Sequence, residues 1–286
     1  MFRWCAYCVR FLGERAPYED FGPTHGICET CLTERTLSDG AAIARVRPIL
    51  EFHRRVFAMA ARLTTSDDMP KVVDIVGFGR RLGIRPVDLL MGVVQPALYE
   101  IGRLWEEGKI THTTEARFTR LITEMLDELV LDQRRRQQLV PRQGRPIFLA
   151  AAAGNRHTVG IQMLGFSLRE QGHDARVITN AVEAAWLVRL ATLLRPSHIG
   201  ISVALPSQVS YAVDVAKRVE REGLDARVMV GGYGARALRP EGLPSSLELH
   251  DWTSRSFEAG DHLGGSTGSR PSRALTSLME SAVGSP

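Results

Sequence analysis

The sequence predicts a multidomain protein of α and α/β class, and three observations predict it. All four cysteines fall in two C-x-x-C pairs near the amino terminus, Cys5/Cys8 and Cys28/Cys31. From about Thr36 to Leu139, apolar residues recur at three- and four-residue steps, the spacing of amphipathic helices. From Pro146 an apolar run, a short turn and a second helical pattern follow one another, which is how a parallel β-α-β sheet begins. The expected order is a four-cysteine module over residues 1–35, a four-helix bundle over 36–140, a parallel-sheet domain over 144–253 and a polar tail over 254–286. A chain of 286 residues accommodates two or three such domains, and a hydrophobic share of 44% supplies their cores.

Nineteen residues separate the two cysteine pairs. Four thiolates satisfy tetrahedral zinc and leave no open position for water, so Cys5, Cys8, Cys28 and Cys31 point to a structural zinc site. A segment of about 35 residues has too little core to fold unaided, so the metal must supply folding energy. An iron–sulfur cluster is an alternative occupant. A disulfide pair would need an oxidising compartment, and the first 25 residues do not read as a signal sequence. His25 stands beside the second pair, as an outer neighbour of the metal rather than a ligand. The run THGICETCL resembles the S-H-G-I-C-x-x-C-L ending of small four-cysteine modules attached to bacterial sensor proteins.

Four helices are expected next, near Gly40–Leu63, Asp67–Leu82, Pro86–Glu107 and Thr113–Leu139. Leu89, Leu90, Val93, Val94, Ala97, Leu98 and Ile101 show the periodicity most clearly. Pro86 suits a first helical turn, and Thr111 or Thr113 suits the cap of the last helix. Short connections favour an antiparallel bundle.

The strand expected over Pro146–Ala152 leads through a turn to a helix from about His157. Open α/β sheets bind ligands at the carboxyl ends of their strands, so this histidine stands at the site-forming edge. A neutral imidazole there can donate a lone pair to a metal, although a histidine after a strand is also a common turn or capping residue. The surrounding pattern is N-x-H-x-x-G at Asn155, His157 and Gly160. Forty-one residues later come Ser202-Val203-Ala204, and twenty-six after those come Gly231-Gly232. This resembles the cobalamin-binding fold, a Rossmann-like (flavodoxin-like) domain whose pattern is D-x-H-x-x-G, S-x-L and G-G at nearly these separations. The resemblance implies that His157 is the lower cobalt ligand in place of the cofactor's own dimethylbenzimidazole. It also implies that Ser202, Ala204, Gly231 and Gly232 line the channel for the displaced nucleotide tail. Two positions depart from the pattern: Asn155 stands for Asp and Ala204 for Leu.

The stretch EIGRLWEEGKITHTTEARF resembles the helical cap that precedes this fold in corrinoid carriers and cobalamin sensors. Light-sensing members carry a tryptophan, nine residues, then Glu-His; here Trp105 is followed by nine residues and Glu115-Ala116. The resemblance assigns Trp105 to the upper face of the corrin and Glu115 to a polar upper ligand such as an adenosyl ribose. The family's second histidine is replaced by Ala116, and His112, about one helical turn earlier, is the available substitute. Read from the residues alone, Trp105 also suits bundle core, and Glu115 suits a first-turn carboxylate favoured by the helix dipole.

The cofactors implied are therefore cobalamin, as adenosylcobalamin or hydroxocobalamin, and zinc. The expected function is a non-enzymatic cobalamin sensor or regulator, of which a light-responsive receptor in signal transduction or transcription control is one form. The alternative is a corrinoid carrier subunit of a methyltransferase system; a haem-binding or empty sensor is a third reading. A protein partner or a second copy of the chain is the expected recipient of the signal. The net charge of +4 and the arginine-rich run from Asp132 to Arg145 raise DNA as a partner, but a solvated helix end explains that run as well. No apolar run is long enough for a membrane helix, and a cytoplasmic location is expected. The tail is rich in Ser, Gly and Arg, with a short helix expected only at Ala274–Met279.

Overall fold

The computed structural model describes residues 1–17, 20–34, 39–62, 71–137, 143–232, 234–235, 244 and 247–249. The expected tail, including Ala274–Met279, lies outside the described residues. The chain divides into two compact units, one of Met1–Leu129 and one beginning at Val130.

In the first unit, β1 (Phe2–Cys5) pairs antiparallel with β2 (Phe11–Glu14) and parallel with β3 (Pro23–Gly26), and a short α1 (Glu29–Glu34) follows. The helices come next: α2 (Asp39–Arg62), α3 (Val72–Arg81) and a run that starts as α4 (Pro86–Leu89) and ends as α5 (Gln95–Glu106). Pro86 opens α4, where its missing N–H costs nothing. Between α4 and α5 the run widens into a π-helical turn, Leu90–Val94, all five residues of which are buried. The last helix, α6 (His112–Gln137), begins in the first unit and ends in the second.

The β-sheet module and the helices of this unit share one seam. Trp4, fully buried, and Phe11 lie over Gly92 at the middle of the π turn, where a Cβ would overlap the Trp4 ring and stand 2.9 Å from Phe11 Cδ2. Only glycine permits that approach. Asp88, buried and held by both Arg85 nitrogens at 2.6 and 2.8 Å, accepts a 3.3 Å bond from the Phe11 amide. Gln95 donates to Glu14 at 2.7 Å and to the Tyr99 hydroxyl at 3.2 Å.

The second unit is a five-stranded parallel sheet in the order β5 (His173–Ile178), β4 (Gln143–Ala151), β6 (His198–Ser202), β7 (Arg227–Gly231), β8 (Leu247–Leu249). Three helices connect these strands: α7 (Val159–Glu170), α8 (Ala184–Leu194) and α9 (Val209–Arg221). Phe148, Ala150 and Ala152 alternate to one face of the sheet, where they join Leu187 and Val188 of α8 and Val215 and Val219 of α9. On the other face α7 approaches so closely that a Cβ at Gly165 would overlap Val177 and lie 3.5 Å from Leu149 Cδ1. This is the doubly wound order in which the chain leaves the first strand in one direction and later strands in the other. Sheets of this order bind ligands at the switch point, which here falls between the carboxyl ends of β4 and β6.

His53 of α2 is 1% exposed, stacks on Phe57 with ring centroids 4.7 Å apart, and lies 6.4 Å from the Phe2 ring. Neither ring nitrogen has a hydrogen-bond partner among the described residues. Burial, with Arg54 nearby, holds its pKa down from 6.5 to about 4. The unfolded chain therefore binds a proton that the folded unit refuses between these values. Stability from this group is complete above about 6.5 and declines as pH falls toward about 4, by on the order of 3 kcal/mol. Unfolding of the chain followed across this window should show that loss, and His53→Phe should remove its share of the slope; an unchanged slope would place the titration elsewhere.

Candidate functional site

The loop between β4 and α7 carries Asn155 and His157. It is closed by hydrogen bonds that the Asn155 side chain supplies. Asn155, 5% exposed, accepts the backbone N–H of His157 on Oδ1 at 2.9 Å. Its amide Nδ2 donates to the carbonyl of Ser202 at 3.0 Å and approaches the Ser202 hydroxyl at 3.4 Å. The same Ser202 carbonyl accepts the amide of Ala152 at 2.9 Å. The end of β4 and the end of β6 are thereby joined through one oxygen. His157 itself is exposed in the turn before α7, and its ring makes no hydrogen bond to a described residue. Gly160 is buried in the first turn of that helix.

The remaining site residues belong to the ends of β6 and β7. Ser202 and Ala204 are buried, and the Val203 amide donates to the Gly231 carbonyl at 2.9 Å. Gly232 has φ +103°, a conformation that glycine alone adopts without strain. Two residues that the sequence pattern did not single out complete this wall. Gln208, buried, turns its Oε1 back onto the amides of Ala204 and Leu205 at 2.8 and 3.1 Å. Gly234 lies so close to Leu205 that a Cβ would overlap the Leu205 backbone, and its amide donates to the Val203 carbonyl at 3.3 Å. An amide side chain four residues after Ala204 gives no spacing signal, and Gly234 lies just outside the G-G pair. The structure therefore brings Asn155, His157, Gly160, Ser202, Ala204, Gly231 and Gly232 to one sheet edge. An exposed imidazole beside strand ends made of alanine, serine and glycine suits an axial histidine next to a slot for a flat ring.

The candidate residues of the helical unit are a separate group. The turn from Glu107 to Thr111 is tied down by the Gly108 amide on the Trp105 carbonyl (2.9 Å) and the Lys109 amide on the Leu104 carbonyl (2.8 Å). Gly108 takes φ +67°. Thr111 caps α6 through its hydroxyl, which accepts the Thr114 amide at 3.2 Å. This tight reversal brings the half-buried Trp105 and the exposed His112 together, with ring centroids 6.5 Å apart in an edge-on arrangement. Glu115, half-buried, accepts the Thr119 hydroxyl at 2.8 Å.

The four cysteines are free thiols whose sulfurs all lie within 4.8 Å of one another. Cys5 ends β1, Cys8 closes the turn after it, and Cys28 and Cys31 flank the start of α1. Cys8 and Cys28 sulfurs are 3.7 Å apart. Tetrahedral zinc with bonds of about 2.3 Å sets its sulfurs about 3.8 Å apart, so this donor set fits such an ion. Burial pushes the Cys5 thiol up, but hydrogen bonds from the backbone at Cys8, Cys28 and Tyr7 outweigh it and lower the pKa to about 7. Burial raises that of Cys31. Metal ligation requires the thiolate, which the surroundings of Cys5 favour. No helix among the described residues is long and apolar enough to cross a membrane.

Comparison with known proteins agrees with this geometry. Residues 145–249 match the family model for the B12 binding domain, and residues 68–129 match a second B12 binding domain model. Neither match includes the four-cysteine module. The monomethylamine corrinoid protein of Methanosarcina barkeri shares the fold at a TM-score of 0.51 and 13% identity, over 64% of this chain and 86% of that one. A cobalamin-binding protein from Desulfitobacterium hafniense DCB-2 aligns at 18% identity over 62% of this chain and 83% of its own, with a TM-score of 0.33. A methanol:cobalamin methyltransferase complex from Methanosarcina barkeri aligns at 15% identity over 73% and 81%, also at 0.33. The two domain matches support a cobalamin-binding protein.

Asn155→Asp would restore the residue expected from the resemblance, yet here it removes the donor to Ser202 and sets a buried carboxylate against a carbonyl oxygen. In the cobalamin-free protein this change should destabilise the second unit by about 1–3 kcal/mol. A melting temperature equal to or above that of the unaltered chain would contradict the bonding described for Asn155.

Proposed function

We propose that this cobalamin-binding protein is a regulatory sensor and not an enzyme, its helical cap responding to the upper ligand of the cofactor. When bound, cobalamin would supply a cobalt ion able to hold and exchange ligands. In this reading His157 would offer its imidazole to that ion, and the small residues at the ends of β6 and β7 would leave room for the nucleotide tail. Trp105 would cover the bound cofactor, Glu115 would receive a polar group of its exchangeable ligand, and His112 would be the available imidazole, since Ala116 supplies none. Adenosylcobalamin and hydroxocobalamin are the forms this arrangement suits. Cys5, Cys8, Cys28 and Cys31 hold a structural zinc ion, and a protein partner or second copy receives the change in the cap.

One observation carries the preference for a sensor. The Asn155 side chain is spent on the His157 backbone and on Ser202, so no carboxylate is supplied from this position to the histidine ring. Such a partner raises ligand basicity and tunes a metal. A carrier whose cobalt changes oxidation state at every turnover needs that tuning more than a sensor does. The carrier reading keeps one argument of its own, the fold shared with a monomethylamine corrinoid protein.

The full chain loaded in darkness with adenosyl-, methyl- or hydroxocobalamin separates the two. A sensor should bind the adenosyl form, change its absorption spectrum on illumination or ligand exchange, and show altered amide exchange in α5 and the start of α6. It should pass no methyl group to a thiol acceptor. Methyl transfer from the methylcobalamin form, with identical amide exchange for all three cofactors, would establish the carrier instead.

A further inference from the structure

The four-cysteine module is not an appendage. Its metal-ligating positions and its packing positions alternate along the same few residues. Trp4 precedes Cys5 directly, and Phe11 follows Cys8 by three residues. Both rings rest on Gly92, and no side chain could replace that glycine without displacing them. The turn they rest on is π-helical. Such a turn holds one residue more than the α-helix on either side and marks sites of function more often than chance. The helix that emerges from it is α5, which carries Trp105.

The seam is also poorly satisfied. Four residues there bury polar atoms with no hydrogen-bond partner among the described residues: Arg3 Nε, Trp4 Nε1, both ring nitrogens of His53, and Gln95 Oε1. Each such atom opposes docking. What favours docking is ring packing on Gly92 and the polar contacts of Asp88 and Gln95. A module of this size cannot keep its shape without a cross-link or a metal. These atoms weaken docking, and what stiffens the module strengthens it.

We propose that a thiophilic divalent metal ion bound by Cys5, Cys8, Cys28 and Cys31 is a second input to the cap, holding Trp4 and Phe11 on Gly92 and so fixing the π turn and α5. Metal loss lets the module loosen, and the turn relaxes with it. The coupling from metal to α5 stands without any cofactor. Its consequence for the upper-face ligand rests on the sensor reading above.

Hydrogen exchange of the full, cobalamin-free chain tests the coupling, with zinc bound and after removal by a chelator. Elemental analysis should find one zinc per chain before removal. After removal, amides of Leu90–Val94 and of α5 should exchange at least tenfold faster, while those of β4, β6 and β7 keep their rates. Trp4→Ala should retain zinc and still show faster exchange in the same segment, because the wedge is gone while the ligands remain. The proposal is overturned by a chain that binds no zinc, by unchanged exchange over residues 90–106 after the metal is stripped, or by Trp4→Ala exchanging at the unaltered rate. Since cobalamin is absent throughout, these outcomes do not depend on the sensor reading.

Discussion

The carbonyl oxygen of Ser202 is the constraint on which the candidate site depends. It accepts the amide that continues β4 and the side chain of the residue that shapes the next loop, so the two strand ends flanking the crevice are bonded as one body. His157 can then be exposed without being loosely placed. Its backbone N–H is fixed by Asn155 even though its ring touches no hydrogen-bonding group among the described residues. A ligand presented this way has lost most of its backbone freedom before it binds, which lowers the entropic cost of coordination. Asn does this where Asp cannot, because only the amide both accepts from His157 and donates to Ser202.

The two compact units are built on opposite principles. At the sheet edge the buried polar groups of Asn155, Ser202 and Gln208 find partners within hydrogen-bonding distance. At the seam of the helical unit, several buried nitrogen and oxygen atoms have no partner among the described residues, and two aromatic rings pack over one glycine. The first arrangement suits a holder of fixed geometry. The second suits an element with two arrangements of similar free energy, and only such an element can be shifted by a ligand of ordinary differential affinity.

Much of this was legible in the sequence, for physical reasons that differ by element. Helix periodicity located α2, α6 and the combined run from α4 to α5 to within a few residues, because their buried faces repeat on the helical period. The four cysteines were legible because metal ligation by thiolates imposes spacing directly, and the sulfurs do converge. The strand–turn–helix at His157 announced the sheet edge because a strand buried on both faces has few polar residues. The π turn was not legible: Leu89, Leu90, Val93 and Val94 read as an unbroken helix, and the extra residue is stabilised by Trp4 and Phe11 from far along the chain. Asn155 read as a weakened Asp, since its bond to Ser202 appears only once β4 and β6 are neighbours. The closeness of Trp105 and His112 depends on how tightly the Gly108 turn reverses, which spacing alone does not specify.

The central claim is that His157 supplies the lower axial nitrogen of cobalamin. Paramagnetic resonance of the reduced, cobalt(II) form measures this directly, because the axial nitrogen splits the spectrum according to its nuclear spin. Protein grown with nitrogen-15 throughout and loaded with unlabelled cobalamin should show doublet splitting, since the coordinating nitrogen comes from the protein, and His157→Ala should abolish the doublet. A triplet in the labelled protein would mean that the cofactor keeps its own base, and the account of the site would be wrong.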